Sequence, residues 1–239
     1  MIKFFRKIRQ HLLMENKTGT YVKYAIGEIL LVVIGILIAL QINNWNERRK
    51  ASILELELLE NIYEDINYNL ESIELVYNED SIQIERNKKL LKILSDPNSR
   101  YHDSLQIYFG SISRYNVFSP RKTAYEAIKS RGLELIQNRN LRSSITQLYD
   151  DTYKLNELVL ELRKDIHVNS LSLFNDRFLT LEDVQFKIPT DFEYLKTEQS
   201  FINTLSYMTA ESKNFLSHHK KMQKRTEELR AEILEEIIK

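Results

Sequence analysis

The chain has 239 residues, of which 43% are apolar and 28% are charged, a composition typical of a folded protein. Five glycines and three prolines are too few for a fold built from many short strands and turns, so a helical protein is expected. The chain has no cysteine, which excludes thiol nucleophiles, disulfides and cysteine-ligated metal centres.

The net charge of zero hides an uneven distribution. Residues 1–23 hold six basic residues and one acidic residue, a net charge of +5. Residues 46–239 hold 28 basic and 32 acidic residues, a net charge of −4. The two parts therefore need separate interpretations, and the mildly acidic body is not expected to bind nucleic acid.

Residues 1–20 form a basic, amphipathic first segment. Phe4 and Phe5 fall on one face of a helix, and Lys7 and Arg9 fall mostly on the other. This pattern is typical of a helix that lies among the headgroups of an anionic bilayer, although the basic residues can also serve only as a topology signal. These four residues, together with Trp45, are the predicted contacts with the membrane interface.

Residues 21–45 predict one transmembrane helix. Residues 29–40 are continuously apolar, and the flanking residues extend this run to about 20 residues, which reaches roughly 30 Å as a helix and matches a hydrocarbon core. A cleaved signal peptide is the alternative, but no small-x-small cleavage site follows the run. We therefore expect a permanent membrane anchor. The excess of basic residues before it predicts a cytoplasmic N-terminus and a body on the opposite side of the membrane.

Two features inside this helix suggest association with another helix. Gly27, Leu31, Gly35 and Ala39 recur every four residues, a spacing found where membrane helices pack closely. Glu28 is a carboxylate in an apolar segment, which either reaches the interface or contacts a partner.

Two stretches of the chain resemble a known family. Residues 2–47, which begin IKFFRKIRQ and end QINNWNE, resemble its opening block, and TAYEAIKSRGLELIQNRNLRSSITQLYDD at 123–151 resembles its second block. The family comprises uncharacterised membrane proteins of flavobacteria and other Bacteroidota and is catalogued as a domain of unknown function. The resemblance implies a single-pass bacterial membrane protein with a helical extramembrane domain, and it implies no reaction and no catalytic residue. With the predicted orientation, the expected location is the bacterial inner membrane, with the helical domain in the periplasm.

Residues 46–239 predict an all-α extramembrane domain: an antiparallel bundle of three long helices with a short-helix cap. The first helix can continue directly from the membrane segment. Apolar or core-compatible residues recur at three- and four-residue steps, which indicates helices packed lengthwise. The predicted core positions are Leu59, Ile62, Ile66, Leu70, Ile73 and Val76; Leu141, Ile145, Leu148, Thr152, Leu155, Val159, Leu162 and Ile166; and Phe201, Leu205, Met208, Ser212, Phe215, His219, Met222, Thr226, Leu229 and Ile233.

The short-helix cap is predicted at residues 98–138, which are rich in tyrosine and phenylalanine and interrupted by glycine and proline. Its aromatic residues form either an end cap of the bundle or a surface for a ligand or partner. Residues 180–191 are expected to form a loop or a docked extended segment.

No catalytic motif is present in the sequence. The five glycines are too far apart for a phosphate-binding loop or a nucleophile elbow, and no histidine follows an acidic residue at the spacing used by di-metal bundles. We expect no cofactor and no bound metal. His219 is expected to set helix register or to sense pH. A basic cluster could contact phosphate, but is more typical of a solvated helix face; it comprises Lys220, Lys221, Lys224 and Arg225.

The sequence therefore predicts a non-enzymatic, membrane-anchored helical interaction module that relays a signal or supports an envelope complex. It would contact the lipid bilayer and either a second copy of itself or another membrane protein. The alternatives are an accessory subunit of a membrane transporter and an enzyme whose site lies in the aromatic-rich cap.

Overall fold

The structure, a computed structural model, describes residues 18–239 except residues 182 and 184. It is 83% helical, which confirms the all-α prediction. The α-helices are α1 (Thr18–Ser95), α2 (Gln106–Ile112), α3 (Thr123–Arg131), α4 (Arg139–Thr146), α5 (Tyr153–Asn175), α6 (Phe192–Thr197) and α7 (Gln199–Ile237). A π-helical segment, Gln147–Thr152, joins α4 to α5, and 3₁₀ turns lie at Asp103–Leu105 and Leu133–Leu135.

The chain divides into two compact units, Met1–Glu55 and Leu56–Lys239. Helix α1 runs through the end of the first unit and into the second, so the predicted membrane segment and the first body helix belong to one continuous helix. In the second unit, all six predicted core positions of α1 are buried. Helix α1 ends at Ser95, where Asp96 and Pro97 begin a turn.

Helix α7 confirms its predicted core most completely, since all ten predicted positions are buried. A separate short helix, α6, precedes α7 in the chain. The Asp191 side chain accepts a hydrogen bond from the Tyr194 amide and caps the short helix α6. Glu198 then adopts an extended backbone conformation before α7, and its carboxylate accepts hydrogen bonds from the Arg177 guanidinium.

Residues 98–138 lie alongside α1, which differs from the predicted position at one end of the bundle. Hydrogen bonds connect this segment to successively earlier turns of α1. The Gln83 amide donates to the Ser111 carbonyl, the Arg121 amide donates to the Asn69 side chain, and the Ala124 amide donates to Asp65. Because these polar groups are buried and paired, they fix the segment along the helix.

A short β-hairpin, β1 (Phe178–Thr180) and β2 (Lys187–Pro189), occupies part of the segment predicted as a loop or an extended piece. It packs next to Gly110 of α2, where a β-carbon would lie 1.9 Å from the Gln185 carbonyl oxygen. Only glycine permits this close approach. The surrounding core is mostly leucine and phenylalanine: Leu90, Leu94, Leu105, Phe109, Ile112, Phe174, Phe178, Phe192, Leu195, Phe201, Leu205 and Met208.

Candidate functional site

The π-helical segment before α5 changes which face of that helix is buried. Before this segment and within it, four residues are buried as predicted: Leu141, Ile145, Leu148 and Thr152. A π-helical turn holds one residue more than an α-helical turn, so the buried positions move on by one residue downstream. The buried side chains there include Tyr153, Asn156, Arg163 and Ser170.

The prediction that Leu155 and Leu162 lie in the core is therefore wrong. Leu155, Leu158 and Leu162 are 52%, 56% and 54% exposed. They are spaced by three and four residues, so they lie on one face of α5, which we call the leucine face. Val159 and Ile166 flank it and are half-buried. Such a row of leucines on a helix surface is typical of an interaction site.

In place of those leucines, a charged cluster lies between α1, α5 and α7. The Arg163 guanidinium donates two hydrogen bonds to the Asp80 carboxylate, at 2.8 and 2.6 Å, and the Asn116 amide donates a third at 2.8 Å. Asp80 and Arg163 are both buried, and the Phe215 ring lies 5.3 Å from the guanidinium. The paired charges neutralise each other, which makes their burial tolerable.

His219 borders this cluster, with Nδ1 3.7 Å from an Asp80 carboxylate oxygen. Burial lowers the pKa of His219 to about 4; the Asp80 carboxylate opposes this shift, while Arg163 and His218 add to it. A carboxylate beside an imidazole could serve acid–base chemistry, but the nearby cavity is lined by Arg163 and not by Asp80 or His219, and its volume is about 20 Å³. That space suits one water molecule and no substrate, so we assign this cluster a structural role.

A larger groove lies where the π-helical segment and the start of α5 meet α7. Its volume is about 350 Å³, within the range of small-molecule sites. Leu155 and Met222 supply apolar lining, and Lys221, Lys224 and Arg225 supply positive charge. Asp151, Thr152, His218 and Glu228 complete the lining. We call this the basic groove.

Most polar groups of the basic groove have partners. The Arg225 guanidinium donates to the Thr152 hydroxyl at 3.0 Å, and Lys224 lies 3.7 Å from Glu228. Lys221 forms no ion pair with any residue that the structure describes. Burial lowers the pKa of His218, and the nearby Lys221 charge adds to this shift. The groove therefore combines an apolar floor with available positive charge.

The predicted helix-association residues lie on the first unit, on the part of α1 that is exposed in the chain. Gly27 and Gly35 have open space where a β-carbon would stand. Leu31 is 62% exposed and Ala39 is also exposed. Glu28 lies beside Ala25, Ile29, Val32 and Val33 at a shallow recess of about 320 Å³. Their role in association remains a prediction.

The predicted interfacial residues are only partly within the described structure. Trp45 is 64% exposed. Phe4, Phe5, Lys7 and Arg9 lie outside the described residues. By length and composition, α1 is the one helix in the described part of the chain that could cross a membrane, and none of its apolar window is buried within the protein.

The sequence indicated the basic cluster of α7 but not the groove, because the helical period placed Leu155 in the core, whereas it is exposed beside that cluster. The acidic pair in QLYDDT at 147–152 gives no recognisable signal for such a turn. Among the residues the structure describes, no group of three histidine or acidic side chains could hold a metal ion.

Comparison with known proteins agrees with the resemblance seen in the sequence. A model for a family of unknown function (DUF6090) matches residues 28–188, from the apolar part of α1 to β2. No curated protein and no solved structure matches the chain. Because the family match covers more than half of the residues, the chain belongs to this family of unknown function.

Proposed function

We propose that the chain is a membrane-anchored helical interaction module that has no catalytic activity and associates with a second copy of itself. The apolar part of α1 spans a bacterial inner membrane once, with the N-terminus in the cytoplasm and the helical domain in the periplasm. The proposal involves no nucleic acid and no cofactor.

The anchor is supported by the exposure of an apolar window in α1. Residues 29–34 are 45–64% exposed in the chain, whereas the core helix of a soluble protein would bury such residues. The six basic residues that precede this window support the orientation.

The leucine face carries the proposal that the domain interacts. Its spacing matches the seam of a helix pair, in which leucines of two helices interlock. Lys154 and Glu161 flank this seam on one side and are both exposed, so the rim carries opposite charges that a second copy can match. The three half-exposed leucines are too few for a stable interface in free solution. Anchoring in one membrane raises the effective concentration of the copies and compensates for this small area.

The proposal is tested by introducing a cysteine at the middle of the leucine face, because the natural chain has none. In the full-length chain in native membranes, Leu158→Cys should form a disulfide-linked dimer of twice 28.5 kDa under mild oxidation. Leu75→Cys on α1 is the matched control, since Leu75 is 67% exposed and lies off the leucine face. It should remain monomeric.

Two outcomes would contradict self-association at this face. One is an equal dimer yield from both cysteine variants, which indicates random collision. The other is a Leu158→Cys product whose mass shows a different protein, which would favour an accessory subunit of a larger membrane complex.

A further inference from the structure

The basic groove shares Leu155 with the leucine face, but its other lining residues lie outside that face, and the proposed self-association is centred on Leu158. The groove holds about 350 Å³, and its exposed lining is mostly apolar, with Leu155 and Met222 among the lining residues. Leu155 is half exposed, whereas Met222 is almost completely buried and lies at the base of the groove. A space of this size and lining suits an aliphatic chain.

The charge at the rim points to an anionic group on that ligand. Three basic residues line the groove against two acidic ones, and Glu228 is already engaged by Lys224. Asp151 is the other acidic residue and lies on the π-helical segment, next to Thr152. Lys221 keeps a charge without a partner among the described residues, and Arg225 has further guanidinium donors beyond its bond to Thr152.

The π-helical segment is an independent indication of a binding site. It supplies Asp151 and Thr152 to the groove and directs Leu155 into it. Such turns cost regular helix hydrogen bonds and occur often at functional sites. A second recess of about 240 Å³ adjoins the groove and shares Thr152, Arg225 and Glu228 with it.

We propose that the basic groove binds an anionic amphiphile, a single aliphatic chain with a carboxylate or phosphate head. The aliphatic chain lies against Leu155, above the buried Met222, and the head accepts hydrogen bonds from Lys221 and Arg225. This ligand site goes beyond the self-association proposed above and does not depend on it.

The test uses the full-length chain in lipid nanodiscs and a dodecanoic acid probe that carries a photoreactive diazirine on its chain. After illumination, labelled residues are mapped by mass spectrometry. Labelling is expected on residues 151–155 and 221–225, and labelling of the apolar part of α1 by probe in the bilayer serves as an internal standard.

Lys221→Glu should lower labelling of the groove about tenfold relative to that standard, the loss expected for a charge-assisted contact. Lys220→Glu is the matched control, because Lys220 is exposed on the same helix and does not line the groove. It should leave labelling unchanged. An uncharged probe, dodecanol with the same diazirine, should label the groove weakly.

Competition identifies the head group. Unlabelled dodecanoate and unlabelled dodecyl phosphate are added separately, and the stronger competitor shows whether a carboxylate or a phosphate is preferred. Three outcomes would overturn the proposal. The groove could be labelled equally in Lys221→Glu and Lys220→Glu, or the uncharged probe could label it as strongly as the anionic probe. The third outcome is labelling of the groove no stronger than that of other exposed surface. A dimerisation failure of Leu158→Cys would leave these results unchanged, so the two proposals fail separately.

Discussion

At the scale of single residues, the Asp80–Arg163 pair shows how the domain stabilises charge in its interior. Arg163 is 6% exposed and Asp80 is fully buried, so each depends on the other for solvation. Removing one member of a buried pair costs about 3–5 kcal/mol, because the remaining charge is left without a partner.

We therefore expect Arg163→Met to lower the free energy of unfolding by about 3–5 kcal/mol. The double variant Asp80→Asn with Arg163→Met should cost clearly less than the sum of the two single changes. Urea unfolding followed by circular dichroism measures this coupling. Arg114→Met is the control, because its partner Glu79 is nearly half exposed, and the expected cost is about 1 kcal/mol or less. Strictly additive costs at Asp80 and Arg163 would show that the pair is not coupled.

His219 makes the stability of the domain depend on pH. An unfolded histidine has a pKa of about 6.5, whereas burial lowers the pKa of His219 to about 4 in the folded chain. Between these values the unfolded state binds more protons, so the free energy of unfolding decreases as the pH falls. From pH 7 to pH 5 the expected decrease from this group is about 2 kcal/mol.

His219→Gln should reduce the dependence of unfolding free energy on pH between pH 7 and pH 5, a window above the range in which most carboxylates titrate. The dependence should not disappear, because burial also lowers the pKa of His218 and of His167. His102→Gln changes an exposed position and is the control, and its unfolding free energy should depend on pH as in the wild type. The same slope in His219→Gln as in the wild type would mean that His219 does not cause it.

At the scale of elements, the periodicity of the sequence predicted α7 fully and α5 only partly. Each of the ten positions predicted in α7 is buried, because that helix is regular from Gln199 to Ile237. In α5 the leucines continue the same period, yet Asn156 and Arg163 occupy the core instead. The extra residue of the π-helical segment shifts the buried face of α5 by one residue. The spacing of the leucines cannot reveal this shift, because leucine is compatible with both the buried and the exposed face of the helix.

If Gln147–Thr152 holds one residue more than a regular helix, deleting that residue should be tolerated. Deletion of exposed Asp151 should restore a continuous α-helix while Asn156 and Arg163 stay buried, and the loss of stability should be about 1 kcal/mol or less. Deletion of exposed Asp165, in the regular part of α5, should move every later residue off its face and unfold the end of the helix. Thermal unfolding measures the stability of both deletion variants. An equal loss of stability in the two would contradict a one-residue insertion at Gln147–Thr152.

Two other parts of the fold could not be predicted from the sequence, for a different reason. The strands Phe178–Thr180 and Lys187–Pro189 have three residues each, too short to show an alternating pattern. The position of residues 98–138 along α1 depends on buried hydrogen bonds between residues far apart in sequence, such as Asn69 and Arg121. Such pairings have no local signature.

At the scale of the whole molecule, two structural features support the proposed function. An apolar window of α1 is unburied in the chain, and a helical domain presents a leucine face and a basic groove. The proposed membrane anchor accounts for the first feature, and in the proposed self-association it raises the local concentration of the small leucine face. The anchor and its orientation are therefore central to the account.

The most direct test of that claim is labelling of single cysteines in the otherwise cysteine-free chain. Ser217→Cys in the exposed part of α7 should react with a membrane-impermeant maleimide in cells whose outer membrane alone is permeabilised. Gly19→Cys should react only after the inner membrane is broken, and both variants should stay in the membrane fraction at alkaline pH. Extraction of the chain by alkali, or reaction of Gly19→Cys in cells with an intact inner membrane, would contradict a single-pass anchor with a cytoplasmic N-terminus.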